Sequence, residues 1–170
     1  MKIILKLIII ILIIGVIGAV AALGYMGFVP GISKIFGSDQ PKDLGVSYMP
    51  QDLESYLGKA KISIEPLDPN ISPMQSLSFS GKSELNVSFT DKEITAMVNS
   101  DMWKYYPVSD AQIRINSNGM VEASGILRKD RLEGYARAQK ISEGEVQAAM
   151  KFLKFVPVNP TFYVSGTGSI

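Results

Sequence analysis

The sequence predicts an α+β protein with one N-terminal transmembrane helix followed by a curled antiparallel sheet packed with about three amphipathic helices. Three observations predict it. A run without formal charge extends from Leu7 to Val29. Helix-start signals recur at three places further on, and between them the hydrophobic period changes from helical to alternating.

The apolar run would measure roughly 34 Å as a helix at 1.5 Å per residue, against a hydrocarbon core of about 30 Å. In lipid a lone segment of this kind satisfies its backbone only as a helix. Lys2 and Lys6 precede the run and the next basic residue is Lys34, a balance that puts the amino terminus inside and the domain outside. Tyr25 and Phe28 fall at the expected headgroup level. A cleavable signal peptide is the competing reading, with Ala19-Val20-Ala21 as its small-residue site; the continuation of the run to Val29 favours an anchor. The expected organisation is therefore a signal anchor at residues 1–30, a juxtamembrane linker at 31–45 and an extracytoplasmic α+β domain at 46–170. The expected location is the cell membrane, crossed once.

Composition narrows the chemistry. The chain has 17 basic and 16 acidic residues, and two of the basic ones precede the apolar run. The remainder lacks the clustered positive excess that nucleic acid requires, so no nucleic-acid partner is expected. There are no cysteines and no histidines. Disulfides, thiolate chemistry, the commonest general base and the commonest transition-metal ligand are thereby removed, and neither a cofactor nor a metal is expected.

In the linker, Ile32, Ile35 and Phe36 have helical spacing, suited either to a short turn lying on a membrane surface or to docking on the domain. The domain then repeats a unit. Val87-Ser88-Phe89 to Ile94 matches Val46-Ser47-Tyr48 to Leu53, with a weaker copy at Ile141 to Val146. In the second and third copies Thr90 with Glu93, and Ser142 with Glu145, form capping boxes stapled by Phe89/Ile94 and Ile141/Val146. In the first, Pro50 suits the opening helical position. These signals predict helices over Pro50–Gly58, Asp91–Ser100 and Glu143–Phe155, the last with a core stripe of Val146, Ala149, Met150 and Leu153.

Alternation predicts strands at Lys61–Glu65, around Leu77 and Phe79, from Leu85 to Phe89, and from Val108 to Leu127. The last contains a hairpin. A loop of Ser117-Asn118-Gly119 pairs Asn116 with Met120, stacks Ile115 on Val121 and Ile113 on Ala123, and sets Arg114 opposite Glu122 and Gln112 opposite Ser124. Arg114 and Glu122 read as a surface cross-strand ion pair rather than as catalysts. Ser80-Gly81, Ser124-Gly125 and Ser165-Gly166 place glycine inside strand-like sequence, where it marks a bulge, a bend or a close approach, and together they predict a strongly curled sheet.

Catalytic motifs fail. Gly166-Thr167-Gly168-Ser169 lacks the helix and lysine of a phosphate loop, and Ser80-Gly81-Lys82-Ser83 lacks its upstream glycine. Arg128, Lys129 and Arg131 form the one local basic patch, suited to anionic headgroups or to a solvated loop.

With "FTDKEITAMVN" opening a helix and "AQIRINSNGMVEASGIL" forming the hairpin behind an anchor, the stretch from Val46 to Ile170 resembles uncharacterised bacterial extracytoplasmic domains, some related to the tubular lipid-binding (TULIP) fold. The resemblance implies lipid or envelope binding rather than catalysis and carries over no functional residue. Strand-like sequence runs to Ile170, leaving either a strand to be continued or an edge for a partner. The expected function is a non-catalytic module binding membrane lipid or another apolar ligand in a cavity lined by Phe79, Ile113, Ile115, Val121, Met150 and Leu153. The alternative is an interaction module holding an envelope protein through an exposed sheet edge.

Overall fold

A computed structural model of the protein describes residues 2–29, 31–66, 68, 70–82, 84–154, 156 and 159–167, with side chains from residue 11 onward. The expected helix end at Phe155, the turn residue Pro69, Ser83 and the segment 168–170 lie outside the described residues, as do the side chains of Lys2 and Lys6. The elements are helices α1 (Lys2–Tyr25), α2 (Ile32–Ile35), α3 (Pro50–Ala60) and α4 (Asp91–Val98), strands β1 (Val108–Ile115) and β2 (Met120–Leu127), helices α5 (Lys129–Ala138) and α6 (Glu143–Leu153), and strand β3 (Thr161–Thr167). A single 3₁₀ turn occupies Pro73–Gln75.

Among the described residues no helix is long and apolar enough to cross a membrane, which overturns the expected transmembrane helix. The helix stops before the apolar run does. Gly27 takes φ 85°, Phe28 N–H donates to the Leu23 carbonyl and Gly27 N–H to that of Gly24, a glycine-terminated Schellman cap. The chain turns back into α2, where Ile32 packs so closely on Gly24 that no side chain fits there.

The α+β class stands, with a sheet of three antiparallel strands in the order β1-β2-β3. The hairpin has the expected register: Arg114 faces Glu122, Ile113 faces Ala123 and Ile115 faces Val121. Asn116 N–H donates to the Met120 carbonyl at 2.8 Å, and Gly119 supplies the left-handed position at φ 79°. A bulge between Ser109 and Gln112 sets Asp110 (φ 50°) and Ala111 against Gly125. A Cβ on Gly125 would stand 3.1 Å from the Phe162 ring and 3.2 Å from Ala111 Cα, so glycine marks a close approach as well as a bulge.

The expected strands at Lys61–Glu65, Leu77–Phe79 and Leu85–Phe89 do not form. Alternation makes a strand only where the segment comes alongside an open sheet edge, and at β1 that place is taken by a helix. On α4, Asp91, Thr95 and Asn99 stand four residues apart and face the outward backbone groups of β1. Thr95 Oγ1 accepts from Ile113 N–H at 3.0 Å and donates to the Ile113 carbonyl at 3.3 Å. Asn99 accepts from Ala111 N–H and donates to its carbonyl, both at 2.8 Å. Asp91 accepts from Ile115 N–H at 3.2 Å. Side chains thus do for this edge what a fourth strand would do.

The capping box at Thr90 forms as expected, and the one at Ser142 forms by half, because the Glu145 carboxylate takes the Ser142 hydroxyl rather than its N–H. Thr90 accepts from Glu93 N–H while Glu93 accepts from Thr90 N–H, and Ser142 accepts from Glu145 N–H. Glu93 also fixes α4 to α3 through Lys59 at 2.7 Å and Ser55 at 2.5 Å; these bonds, Lys59 first, hold its carboxyl at about 2. One helix was not expected. α5 occupies the stretch read as a basic loop, because Gly134 admits the Tyr105 ring against its backbone and Tyr135 meets the Trp103 ring at 5.8 Å.

Thr95 is fully buried, so Thr95→Val would keep its shape while stranding both backbone groups of Ile113. The expected loss is about 2 kcal/mol or more, measured by urea unfolding followed at the single tryptophan, Trp103. Thr95→Ser, which keeps the hydroxyl, should lose less than half of that.

Candidate functional site

The strand register collects Ile113 and Ile115 of β1, Val121 and Ala123 of β2, and Phe162 and Val164 of β3 on one face of the sheet. Gln112, Arg114, Glu122, Ser124 and Tyr163 share the other. A sheet with one covered face ordinarily buries its apolar side and wets its polar side. Here the arrangement is inverted at part of each face: Arg114 and Tyr163 of the polar face are exposed and Ile113, Ala123 and Phe162 of the apolar face are half-buried, but their neighbours depart from the rule. Ile115 is 41% exposed, Val121 38% and Val164 58%, whereas Glu122 is 9% exposed and Ser124 0%.

The inversion is caused by the linker, which lies across the polar face. Leu44 and Val46 donate their N–H groups to Gln112 Oε1 at 2.7 and 3.3 Å, and Arg114 donates to the Leu44 carbonyl at 3.3 Å. Leu44 is buried. Beside it, Lys42 Nζ stands 3.4 Å from Glu122 and 3.7 Å from the centroid of the Tyr163 ring, a cation–π contact. Tyr163 donates its hydroxyl to Glu122 at 2.6 Å and Asn116 donates its amide at 3.0 Å. Arg114 and Glu122 are opposite in register, as expected, but each bonds elsewhere. Glu122 is pulled down to about 2, first by the Tyr163 hydroxyl, then by Asn116 and Lys42. Lys42 is raised, first by Tyr163. A carboxylate this acidic and a lysine whose charged form is favoured hold the linker to the sheet as a charged pair near neutrality. Ser124 Oγ, two positions along, has no hydrogen-bond partner among the described residues.

The six expected lining residues separate into three places. Ile113, Ile115 and Val121 lie together on the open face. Phe79 is 87% exposed on a segment without regular structure. Met150 and Leu153 line a different groove of about 190 Å³, between α5 and α6, with Leu132, Tyr135 and Val146. Another apolar groove, of about 290 Å³, runs between α1 and α2 along Val16, Ile17, Val20, Ile32 and Phe36. The basic patch is engaged internally: Arg128 with Asp130 at 2.9 Å, Lys129 with the Val156 carbonyl, and Arg131 with the Tyr106 carbonyl at 3.5 Å. Among the described residues no group of three acidic side chains is placed to hold a metal ion.

Lys42, Asn116 and Tyr163 were not found from the sequence. Lys42 and Tyr163 reach Glu122 from 80 and 41 residues away, and no local pattern encodes such partners.

No family model, curated protein or solved structure matches this chain. Its site is therefore read from its own geometry.

The Glu122 shift has a sign. A carboxyl lowered from 4.5 to about 2 in the folded protein stabilises it fully above pH 4.5, and that contribution is lost as pH falls toward 2. The Glu122 side-chain carboxyl carbon should therefore titrate near pH 2 by NMR, and Tyr163→Phe should move its midpoint up toward 4.5. A wild-type midpoint near 4.5 would contradict the hydrogen bonding described.

Proposed function

We propose that the protein is a non-catalytic, membrane-associated module that holds a lipid or another apolar ligand against the open face of its sheet. The observation that carries this reading is the uneven covering of the sheet, which buries Glu122 and Ser124 on one side while it leaves Ile115, Val121 and Val164 exposed on the apolar side. Folding ordinarily buries such side chains, each fully buried one contributing about 1.5–3 kcal/mol. An acyl chain laid along Ile115, Val121 and Val164 would recover part of that term, at about 0.8 kcal/mol per buried methylene.

The exterior of α1 supports the location. Ile11, Leu12, Ile13, Ile14, Val16 and Ile17 are all exposed, so the stretch of the helix from Ile11 to Ile17 is apolar on every side. A helix with no polar face is at rest only in an apolar environment, and lipid supplies one. The non-catalytic part is supported by the chemistry of the titrating groups: Glu93 and Glu122 are both held near 2, remote from the values useful to an acid or base at neutral pH.

Organic extraction of the purified full chain, followed by mass spectrometry, should recover bound lipid. Ile115→Glu combined with Val121→Glu should lower the recovered amount on the order of tenfold, the effect of losing about 1.4 kcal/mol of binding. Phe79→Ser, away from the face, should leave it unchanged. Equal lipid in the wild type and the double variant would overturn the reading.

A further inference from the structure

The two edges of the sheet are treated differently. β1 is closed by Asp91, Thr95 and Asn99, whereas among the described residues no strand pairs with the outer edge of β3, although its first residue, Thr161, is met by Gly27 and donates its hydroxyl to the Ser38 carbonyl. The bonding alternation identifies the free groups. Ala111, Ile113 and Ile115 turn their backbone groups toward α4, so Gln112 and Arg114 bond to β2, and Val121 and Ala123 bond in turn to Gly166 and Val164. The N–H and C=O groups of Tyr163 and Ser165 therefore point outward. β3 reads Thr-Phe-Tyr-Val-Ser-Gly-Thr and carries no charge, proline or bulge, the devices that ordinarily keep an edge single.

We infer that β3 pairs antiparallel with β3 of a second copy of this chain, about a two-fold axis at Val164. Val164 is the middle residue of the strand, so this axis centres the pairing on Phe162 to Gly166, clear of the Gly27 and Ser38 contacts at Thr161. The register it creates is self-complementary in size. Phe162 meets Gly166 of the second copy, Tyr163 meets Ser165, and Val164 meets its own equivalent. Each bulky residue is set against a small one and no like charges oppose. Tyr163 and Ser165 exchange their outward hydrogen bonds across the axis, and the central valines form the closer, non-bonded kind of pair. An isologous contact of this sort closes after two copies. It would join two three-stranded sheets into one of six, with both outer edges capped by α4.

The absence of native cysteine makes the test specific, because one introduced cysteine can cross-link only to its own equivalent. In the full chain purified in mild detergent, Val164→Cys should form a disulfide-linked dimer under gentle oxidation. The Cα separation of a non-bonded antiparallel pair, about 4.5 Å, lies within disulfide range. Gly166→Cys, whose equivalents would lie four residues apart along the strands, should cross-link on the order of tenfold more slowly, the difference between a held pair and chance encounter. The wild type should show dimer mass by light scattering, and Val164→Lys should shift it to monomer. Equal cross-linking of the two cysteine variants would overturn the inference, whether the wild type proved monomeric or dimeric through another surface. Lipid extraction plays no part in this readout, so its outcome is independent of the proposed ligand.

Discussion

The ladder of side chains from α4 onto the edge of β1 is the contact on which the rest of the architecture depends. It joins the helical half of the chain to the sheet through Thr95, Asn99 and Asp91 rather than through apolar packing. Buried backbone groups must be paired, and a stranded one costs about 1–3 kcal/mol, so the helix is held in position and in register. The same helix is tied behind to α3 by Glu93, Lys59 and Ser55. Because α4 occupies the edge, it leaves Ile115, Val121 and Val164 of the apolar side exposed.

From that placement the inverted sheet follows. Its polar side is roofed by the linker, which brings one buried apolar side chain, Leu44, and otherwise hydrogen bonds. The roof is selective: its donors and acceptors match Gln112, Arg114 and Glu122, and nothing equivalent matches the row of Ile115, Val121 and Val164. A segment that is satisfied by carboxamide and guanidinium groups gains nothing by moving to an aliphatic surface, where its own backbone would lose its partners. The covering of one face and the bareness of the other have the same cause.

What was legible in the sequence was local. The hairpin was readable to the residue from Gln112 to Ser124, since a one-position slip would exchange its two faces and its turn fixes where the strands meet, whereas the bulge between Ser109 and Gln112 was not. The caps at Thr90 and Ser142 were readable because their partners lie three residues away. The strands expected before residue 90 were not sound inferences, because alternation reports a preference and is silent on whether an edge is free. The end of α1 was misread by weighing apolar length alone, when Gly27 already carried a stop signal before Val29. α5 was missed because Arg128, Lys129 and Arg131 drew attention to charge, while its packing groups, Gly134 and Tyr135, act on aromatic rings some thirty residues upstream. The cluster at Glu122 had no local signature at all.

Face and edge are chemically separate, and this decides how the two proposed contacts coexist. The face offers side chains and takes up apolar surface without regard to direction. The edge offers the backbone of Tyr163 and Ser165 and accepts only another extended strand. Val164 belongs to both, since its side chain stands on the open face while its position is the centre of the edge. Pairing two copies there would bring their bare faces into one continuous apolar surface about twice as wide as either. A flexible apolar ligand is better matched by the wider surface, because each added contact is gained without a second loss of translational freedom. Dimerisation and ligand capture would then favour one another through shared burial, with no change of shape required in either copy.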